Sequence, residues 1–275
     1  MAEAAAPARD TDKIEVLRRE DRGPIAVLTL HRPDARNSLS EDLLAALSHE
    51  LEDIRHSKAL KAVVLTASGD IFCAGHDLKE LTSRRSDADR GQAYYGKIMR
   101  LCSSVMQAIV HCPKPVIAAV QGTATAAGCQ LVASCDLAVA SEKAAFCTPG
   151  VNIGLFCSTP MVALSRNIGR KQAMEMLLLG ELVGAADAAA MGLVNRVVPA
   201  DRLLTEVMEL AGRIAEKPPA TVAVGKEAFY RQLEMPLADA YDYAADVMVR
   251  NMLHRDSEEG IGAFLEKRPA DWDHE

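Results

Sequence analysis

The chain has 275 residues and a formal net charge of −7 at pH 7, with 49% hydrophobic and 25% charged residues. This length and composition are typical of one large soluble globular domain, with or without a helical appendage. An acidic chain without a long lysine or arginine run is poorly suited to nucleic acid or to an anionic membrane, so we expect neither as a partner. No apolar run approaches the ~20 residues that span a bilayer.

The N-terminus and the cysteines bear on the cellular compartment. The opening residues, MAEAAAPARDTD, lack the apolar segment of a signal peptide, so we expect residues 1–12 to be a disordered lead and the protein to be cytoplasmic. The seven cysteines form no C-x-x-C pattern and lie mostly in apolar stretches. This favours buried free thiols over disulfides, and the sequence predicts no metal site.

Strand and helix patterns alternate along most of the chain. Strands are predicted at residues 13–19, 25–31, 61–67, 115–122, 135–141 and 193–199. Helices are predicted after the N-cap residue Ser40 and at 91–110, 126–133, 158–167, 171–179, 185–191, 201–215, 219–232, 237–254 and 257–266. The alternation predicts an α/β fold. Because strands stop near Pro199, we expect a core over 13–199 and a helical region over 200–275.

Two segments follow buried strands with small residues and then begin a helix. They are IFCAGHDLKEL at residues 71–81 and VQGTATAAGCQ at 120–130. Small residues let a ligand approach the backbone, and a helix start leaves amide N–H groups unbonded. Two such turns aimed at one oxygen would form an oxyanion hole. One such turn is more often only tight packing, so these residues alone leave both alternatives open.

The two motifs together resemble those of the crotonase (enoyl-CoA hydratase/isomerase) superfamily. The resemblance continues through AAFCTPGVNIGL, GLVNRVVP and EGIGAFLEKR, and covers nearly the whole chain. The variant details AGHDLKEL and ATAAGCQLVASCD are most similar to one subgroup of that superfamily. The resemblance implies a ClpP-like spiral of ββα units with a C-terminal helical trimerisation region. It also implies a homotrimer or a dimer of trimers.

The resemblance assigns roles to individual residues. The backbone amides of His76 and Ala127 match the oxyanion pair that holds a thioester carbonyl. Ala74 and Lys79 match positions that contact coenzyme A in the family. Phe264 and Lys267 match a pair that contacts the coenzyme A of an adjoining subunit. The polar residues expected around the acyl chain are Thr125, Thr148, Asn152 and Ser158. The partner implied is an acyl-CoA thioester, with coenzyme A as part of the substrate and no separate cofactor.

Two departures from the family pattern concern the catalytic carboxylates. Hydratases of the family carry a Glu at the positions of Gln130 and Gly150, and both are absent here. A positioned acid or base is worth ~10²–10⁴-fold in rate, and a neutral amide cannot take a proton from water. The only acids between Pro115 and Pro160 are Asp136 and Glu142, and neither is an evident replacement.

The sequence therefore leaves two main functions open. The first is an enzyme of the hydratase/isomerase type, a lyase or isomerase that stabilises a thioester enolate but hydrates poorly. The second is a non-catalytic acyl-CoA binder or oligomeric scaffold. RNA binding, known in one branch of the superfamily, would need a lysine-rich helix, and the segment SRRSDADR at 83–90 mixes both charges.

Overall fold

The computed structural model describes residues 15–272, and all structural statements below concern that part of the chain. The predicted lead at 1–12 and the start of the first predicted strand lie outside it. The strands are β1 (Leu17–Arg22), β2 (Ile25–Leu30), β3 (Ala62–Ala67), β4 (Ile71–Cys73), β5 (Val116–Val120), β6 (Thr123–Thr125), β7 (Leu137–Ser141), β8 (Ala145–Cys147), β9 (Val183–Gly184) and β10 (Arg196–Val198).

The helices interleave with these strands and then continue alone. They are α1 (Glu41–His56), α2 (Leu78–Ser83), α3 (Gln92–His111), α4 (Ala127–Ser134), α5 (Pro160–Asn167), α6 (Arg170–Leu179), α7 (Ala185–Ala190), α8 (Leu203–Ala215), α9 (Pro219–Gln232), α10 (Leu237–Met252) and α11 (Arg255–Glu266). The α/β prediction is confirmed. None of these helices combines the length and apolarity needed to cross a bilayer.

The strands form two sheets. The larger has the order β1-β2-β3-β5-β7-β10 and is parallel except for the β1–β2 hairpin. The smaller has the order β4-β6-β8-β9, with β4, β6 and β8 parallel. Successive units thus place their first strand in the larger sheet (β3, β5, β7) and their second in the smaller (β4, β6, β8). This repetition makes the spiral.

The larger sheet is buried on both faces, which explains its continuous apolar strands. All five residues of β5 are buried, and they alternate between two hydrophobic clusters. On one face, Ile117 and Ala119 pack with Leu203, Val207 and Ala211 of α8. The opposite face belongs to the main core, with α1 and α3. Helix α8 therefore packs on the larger sheet, although the sequence assigned it to the helical region that follows residue 199.

The short strands are the main difference from the predicted elements. The sequence did not predict β4, β6, β8 or β9, which have two or three residues each. Runs this short carry too little periodicity to be recognised. The first predicted strand was placed too early, since β1 begins at Leu17 and ends at Arg22. Its charged residues suit an edge strand, whose outer side faces solvent.

The C-terminal helices are tied to the core by a buried ion pair. Lys226 of α9 donates from Nζ to Oδ2 of Asp136 at 2.6 Å, and also to the backbone carbonyls of Ile109 and Lys114. Tyr230 donates its hydroxyl to Oδ1 of the same carboxylate at 2.9 Å. Asp136 is therefore fully engaged in holding α9.

Candidate active site

The two small-residue turns lie at the same edge of the smaller sheet. The first turn follows β4 and the second follows β6, and these strands are parallel neighbours paired through Ile71–Thr123 and Cys73–Ala124. Parallel neighbours end at the same edge of a sheet, so the chain leaves both strands at adjacent points. Strand pairing thus brings together segments that are about fifty residues apart in the sequence.

The turns are in direct contact. Gly75 has a φ of +87°, and a Cβ atom built on it would lie 3.0 Å from Cβ of Ala126 and 3.3 Å from the backbone nitrogen of Ala127. Gly128 approaches β4 still more closely, since a Cβ there would lie 2.2 Å from the carbonyl oxygen of Cys73. Only glycine permits this packing at either position.

Both predicted oxyanion amides are free of protein acceptors within residues 15–272. Ala127 is the first residue of α4, so its N–H has no partner inside the helix. The residues on either side of His76 bridge to Leu39: the Leu39 amide donates to the Gly75 carbonyl, and the Asp77 amide donates to the Leu39 carbonyl. The His76 amide takes no part in this bridge or in any other hydrogen bond described for the chain.

The first turn is clamped by the loop that precedes α1. Asn37 is fully buried in a left-handed conformation, and its Nδ2 donates to the carbonyls of Ser68 and Ile71. Arg32 donates from Nη2 to Oδ2 of Asp77 at 3.0 Å. Sequence reasoning missed both clamping residues. An Asn at a turn before a helix was the available signal, because Asn tolerates the left-handed region better than most residues.

Asp77 is the N-cap residue of α2. Its Oδ1 accepts the backbone N–H of Lys79 and of Glu80 at the start of α2. Burial raises the pKa of Asp77, but hydrogen bonds from Arg32 and from the Glu80 amide outweigh that effect and hold the pKa below its ordinary value. The Asp77 carboxylate is therefore charged and already hydrogen-bonded to Arg32 and to the start of α2, so it is not available as a proton carrier.

The second turn contains a strained alanine. Ala126 has a φ of 49° and a ψ of −117°, a combination that glycine adopts freely and alanine rarely. The amide of Ala126 donates to the Cys147 carbonyl at 2.9 Å, and its own carbonyl accepts the Gln130 amide at 3.0 Å. These bonds fix the turn in place. Strain of this kind tends to occur at functional sites, where surrounding structure determines the backbone.

Gln130 follows one turn later on α4 and is almost completely buried, with 4% of its surface exposed. Its side-chain oxygen Oε1 is enclosed, and no group of residues 15–272 donates to it. Both ring nitrogens of His76 are likewise enclosed without a hydrogen-bond partner in the described part of the chain. Buried polar atoms are rarely left unpaired, so each of these atoms calls for a ligand or solvent partner.

Gly150, the second position without a carboxylate, lies in the 3₁₀ helix Pro149–Ile153. The volume beside its Cα is filled. A Cβ there would lie 2.9 Å from Sγ of Cys157 and 2.8 Å from the carbonyl oxygen of Leu155. Burial raises the pKa of Cys157, and the Gly150 backbone amide opposes that shift. A neutral thiol therefore occupies the space in which a glutamate side chain would begin.

Apart from the ion pair between Arg32 and Asp77 beside the first turn, the titratable groups described around these residues are neutral at neutral pH. Burial lowers the pKa of His76, which favours the neutral imidazole. Burial and then Cys157 raise the pKa of Cys147 to about 11. No carboxylate is among the described groups that shift the pKa of His76, Cys129, Cys147 or Cys157. Glu142, the remaining acid of this region, is exposed in the turn between β7 and β8.

The other predicted site residues differ in accessibility. Thr148 is fully buried, and its hydroxyl donates to the Met176 carbonyl of α6 at 2.8 Å. Asn152 approaches the Gly180 carbonyl at 3.5 Å, and Ser158 is exposed and bonds to the Phe156 carbonyl. The partly exposed positions beside the turns are Ala74 and Thr125. The exposed positions predicted to contact coenzyme A are Lys79, Phe264 and Lys267.

Two further features lie apart from the turns. A cavity of about 280 Å³ opens between the end of α1 and the starts of α9 and α11, and none of the predicted site residues lines it. All seven cysteines are buried and unpaired, as predicted. Within the described part of the chain, no three His, Cys, Asp or Glu side chains are grouped to hold a metal ion.

Comparisons with known proteins agree with the motifs. The family model described as enoyl-CoA hydratase/isomerase matches residues 20–275. Enoyl-CoA hydratase domain-containing protein 3 of Mus musculus is 44% identical over 98% of this chain and 89% of its own length. The human protein of that name is 47% identical over 90% of this chain and 80% of its own length. The subgroup indicated by the variant motifs is thereby confirmed.

Solved structures share the fold. A crystal structure of enoyl-CoA hydratase from Mycobacterium smegmatis is 51% identical, covers 94% of this chain and 98% of its own, and superposes with a TM-score of 0.89. That of human enoyl-CoA hydratase domain-containing protein 3 is 46% identical, covers 94% of this chain and all of its own, with the same TM-score. The predicted crotonase architecture is confirmed.

The predicted location is corrected by the same relatives. The sequence predicted a cytoplasmic protein because its first residues do not resemble a targeting peptide. The mouse, rat and human relatives are named as mitochondrial proteins, which contradicts that prediction. The prediction depended on residues that lie outside the described structure and on local composition alone.

Proposed function

Because this chain belongs to the enoyl-CoA hydratase/isomerase family, we propose that it binds acyl-CoA thioesters through an oxyanion hole made by the backbone amides of His76 and Ala127. The observation that carries this proposal is the close approach of Gly75 to the Ala127 nitrogen, together with the lack of an acceptor for either amide among residues 15–272. Two N–H groups so placed would stabilise the negative oxygen of a thioester enolate. One such donor is typically worth ~10²–10³ in rate.

The chemistry that such a site supports is limited by its lack of acids and bases. Gln130 can orient a water molecule but cannot remove its proton. Cys157 fills the space of the second carboxylate and is held neutral by burial. We therefore expect hydration of crotonyl-CoA to be very slow. Decarboxylation of a malonyl thioester forms the enolate by loss of CO₂ and needs no protein base for that step, so it suits this site better.

A non-catalytic acyl-CoA binder is the second candidate, and the same neutral surroundings favour it. Two assays on the purified full chain separate the candidates. Calorimetry with butyryl-CoA measures binding, and release of CO₂ from malonyl-CoA measures enolate stabilisation. Both candidate functions predict that butyryl-CoA binds. Only an enzyme is expected to release CO₂ from malonyl-CoA faster than solvent alone does. A protein that binds no thioester would contradict both candidates.

A pair of glycine variants tests the oxyanion hole itself. Gly75→Ala would force a Cβ against Ala126 at a φ of +87°, and so should separate the two turns. Gly23→Ala is the matched control, because Gly23 has a φ of +60° and no atom lies within 4 Å of a Cβ built there. We expect both to lose some stability, but only Gly75→Ala to lose thioester binding. Equal binding by the two variants would contradict the proposed site.

A homotrimer or a dimer of trimers remains our proposal for the assembly. Several large apolar side chains are exposed in each of two parts of the fold, and grouped exposed apolar residues often mark contacts with other chains. The first surface, around α5 and α6, includes Leu155, Phe156, Val162, Leu178 and Leu182. The second surface, on α10 and α11, includes Leu237, Met248, Leu253, Phe264 and Leu265. Phe264 and Lys267 are thus available to a neighbouring subunit.

Charge substitution on each surface tests this assembly. Leu178→Glu and Leu253→Glu place a carboxylate at exposed apolar positions, and we expect each to shift sedimentation toward the monomer. Lys143→Glu, in the exposed turn after β7, is the matched control and should leave the assembly unchanged. A wild-type protein that sediments as a monomer at micromolar concentration would contradict the proposal.

A further inference from the structure

The cavity of about 280 Å³ that lies apart from the two turns is rich in cations. It opens at the edge of the larger sheet where Lys61 precedes β3 and Lys114 precedes β5. The six residues of β3 span ~20 Å, and the chain reaches β4 and the first turn only from their far end. The lining side chains include two histidines, one acid and four lysines, so we call this feature the lysine cavity; its lysines are Lys58, Lys61, Lys114 and Lys217.

The positive charge of the lysine cavity is not balanced by the residues that line it. Lys58 and Lys217 are exposed, and their ammonium groups make no hydrogen bond or ion pair with residues 15–272. Asp256 is the one acid of the lining; it is buried, and its Oδ2 lies 3.6 Å from Nδ1 of His254. Cations gathered without enough acids to pair them repel one another, and a bound anion would relieve that repulsion.

The start of α9 adds hydrogen-bond donors to the same cavity. Pro219 and Ala220, the first two residues of the helix, line the cavity, and the first turn carries neither a side-chain cap nor an acid. The amides of Ala220 and Thr221 have no acceptor in the described part of the chain. Unbonded amides at the positive end of a helix dipole favour an anion beside the lysines.

The lining residues also indicate which class of anion fits. Among the described residues no arginine lines the cavity, so the forked pairing that suits a planar carboxylate is not offered there. Lysines act as point charges, and several of them from separate elements suit a tetrahedral phosphate with three terminal oxygens. The volume is near the lower end for small-molecule sites, which limits the ligand to a compact one. The apolar part of the wall is formed by Leu60, Pro113, Ile214, Val222 and Ala223.

We propose that the lysine cavity is a binding site for a small phosphate monoester that carries a compact apolar group. Lys58 and Lys217 pair with the phosphate dianion, and the first amides of α9 donate to its oxygens. The apolar group packs against Ile214 and Val222. This site shares no residue with the proposed thioester site, so the two proposals stand or fall separately.

Calorimetry on the purified full chain tests the proposal with phenyl phosphate, inorganic phosphate and benzoate as probes. We expect phenyl phosphate to bind most tightly, because benzoate has the same ring with a single planar charge and inorganic phosphate lacks the ring. Lys217→Gln removes one cation and keeps most of the side chain, so it should weaken phenyl phosphate binding about tenfold. Equal affinities for phenyl phosphate and benzoate in the wild type would overturn the proposal.

Lys143→Gln is the matched control, because Lys143 is also exposed and the change in net charge is the same, but it lies in the turn between β7 and β8. We expect this variant to keep the wild-type affinity. Lys79→Gln tests whether the probe binds instead at a position predicted to contact coenzyme A. A loss of binding in Lys79→Gln without one in Lys217→Gln, equal losses in Lys143→Gln and Lys217→Gln, or no saturable binding to the wild type would each overturn the proposal. A wild type that binds phenyl phosphate but no thioester would contradict the proposed function alone.

Discussion

The thiol of Cys157 lies against Gly150, with Sγ 2.9 Å from the position of a Cβ on that glycine. Separations below 3.0 Å do not occur for real Cβ atoms, and the Leu155 carbonyl is equally close from another side. We therefore expect Gly150→Glu to destabilise the fold by ~1–3 kcal/mol through overpacking. Urea unfolding of the wild type, Gly150→Glu, Cys157→Ala and the double variant measures the coupling between the two positions.

The double variant should lose less stability than the two single variants added together, because Cys157→Ala removes one of the two contacts. Strict additivity would show that the thiol does not restrict position 150. The same four proteins, each carrying Gln130→Glu in addition, are then assayed for hydration of crotonyl-CoA. We expect the largest gain when both carboxylates are present and Cys157 is truncated, because each positioned group is worth ~10²–10⁴-fold.

We expect the protein to be more stable with glycine than with alanine at position 126. Its φ of 49° and ψ of −117° disfavour a side chain, and relief of such strain is worth about 1 kcal/mol or more. We expect Ala126→Gly to raise the free energy of unfolding by about that amount, less the entropy that glycine adds to the unfolded chain. Ala133→Gly, inside α4, is the control and should be destabilising by ~1 kcal/mol. A loss of stability in Ala126→Gly would show that the turn is unstrained.

His76 should remain neutral in the folded protein at pH values where a free imidazole is charged. Burial lowers its pKa, so the folded-state pKa lies below the unfolded value of about 6.5. A lowered pKa means that its contribution to stability is present above the unfolded pKa and is lost as the pH falls through the folded one. We expect the stability of the wild type to fall more steeply below about pH 6.5 than that of His76→Asn.

Imidazole chemical shifts measured by NMR against pH give the folded-state pKa of His76 directly. If His76 titrates at or above the ordinary imidazole pKa of about 6.5, the ring is solvated or paired with an acid. The interpretation that the His76 ring is neutral and buried in the site would then be wrong.

The ion pair between Lys226 and Asp136 should dominate the attachment of α9. Their side chains are 7% and 15% exposed, and Nζ lies 2.6 Å from Oδ2. Removal of one partner from a buried pair leaves the other charge uncompensated, which typically costs about 3–5 kcal/mol. We expect Lys226→Met to lose stability on that scale and Tyr230→Phe to lose only about 1 kcal/mol.

A double-mutant cycle with Asp136→Asn completes this measurement by urea unfolding. The two charge-removing changes together should cost clearly less than their sum, because neither then leaves a buried charge alone. A cost below about 1 kcal/mol for Lys226→Met would place the pair among solvent-screened surface pairs. The attachment of α9 would then depend on packing alone.

Local chemistry in the sequence determined much of this protein. Ser40 caps α1 by accepting the Leu43 amide, and Asp77 caps α2, both over a few residues of chain. The long apolar strands of the larger sheet were recognisable because they are buried on both faces. The two small-residue turns could also be identified from their residues, and the absence of the two carboxylates from the resemblance to the crotonase superfamily.

Tertiary structure decided what the turns contact. The three-residue strands β4 and β6 form through pairing within the smaller sheet, and their pairing with each other sets Gly75 against Ala127. Cys157 meets Gly150, and Lys226 meets Asp136 ninety residues away, through packing that no local pattern encodes. Caps and periodicity depend on neighbours along the chain, whereas these contacts depend on how distant elements pack, so only the folded structure specifies them.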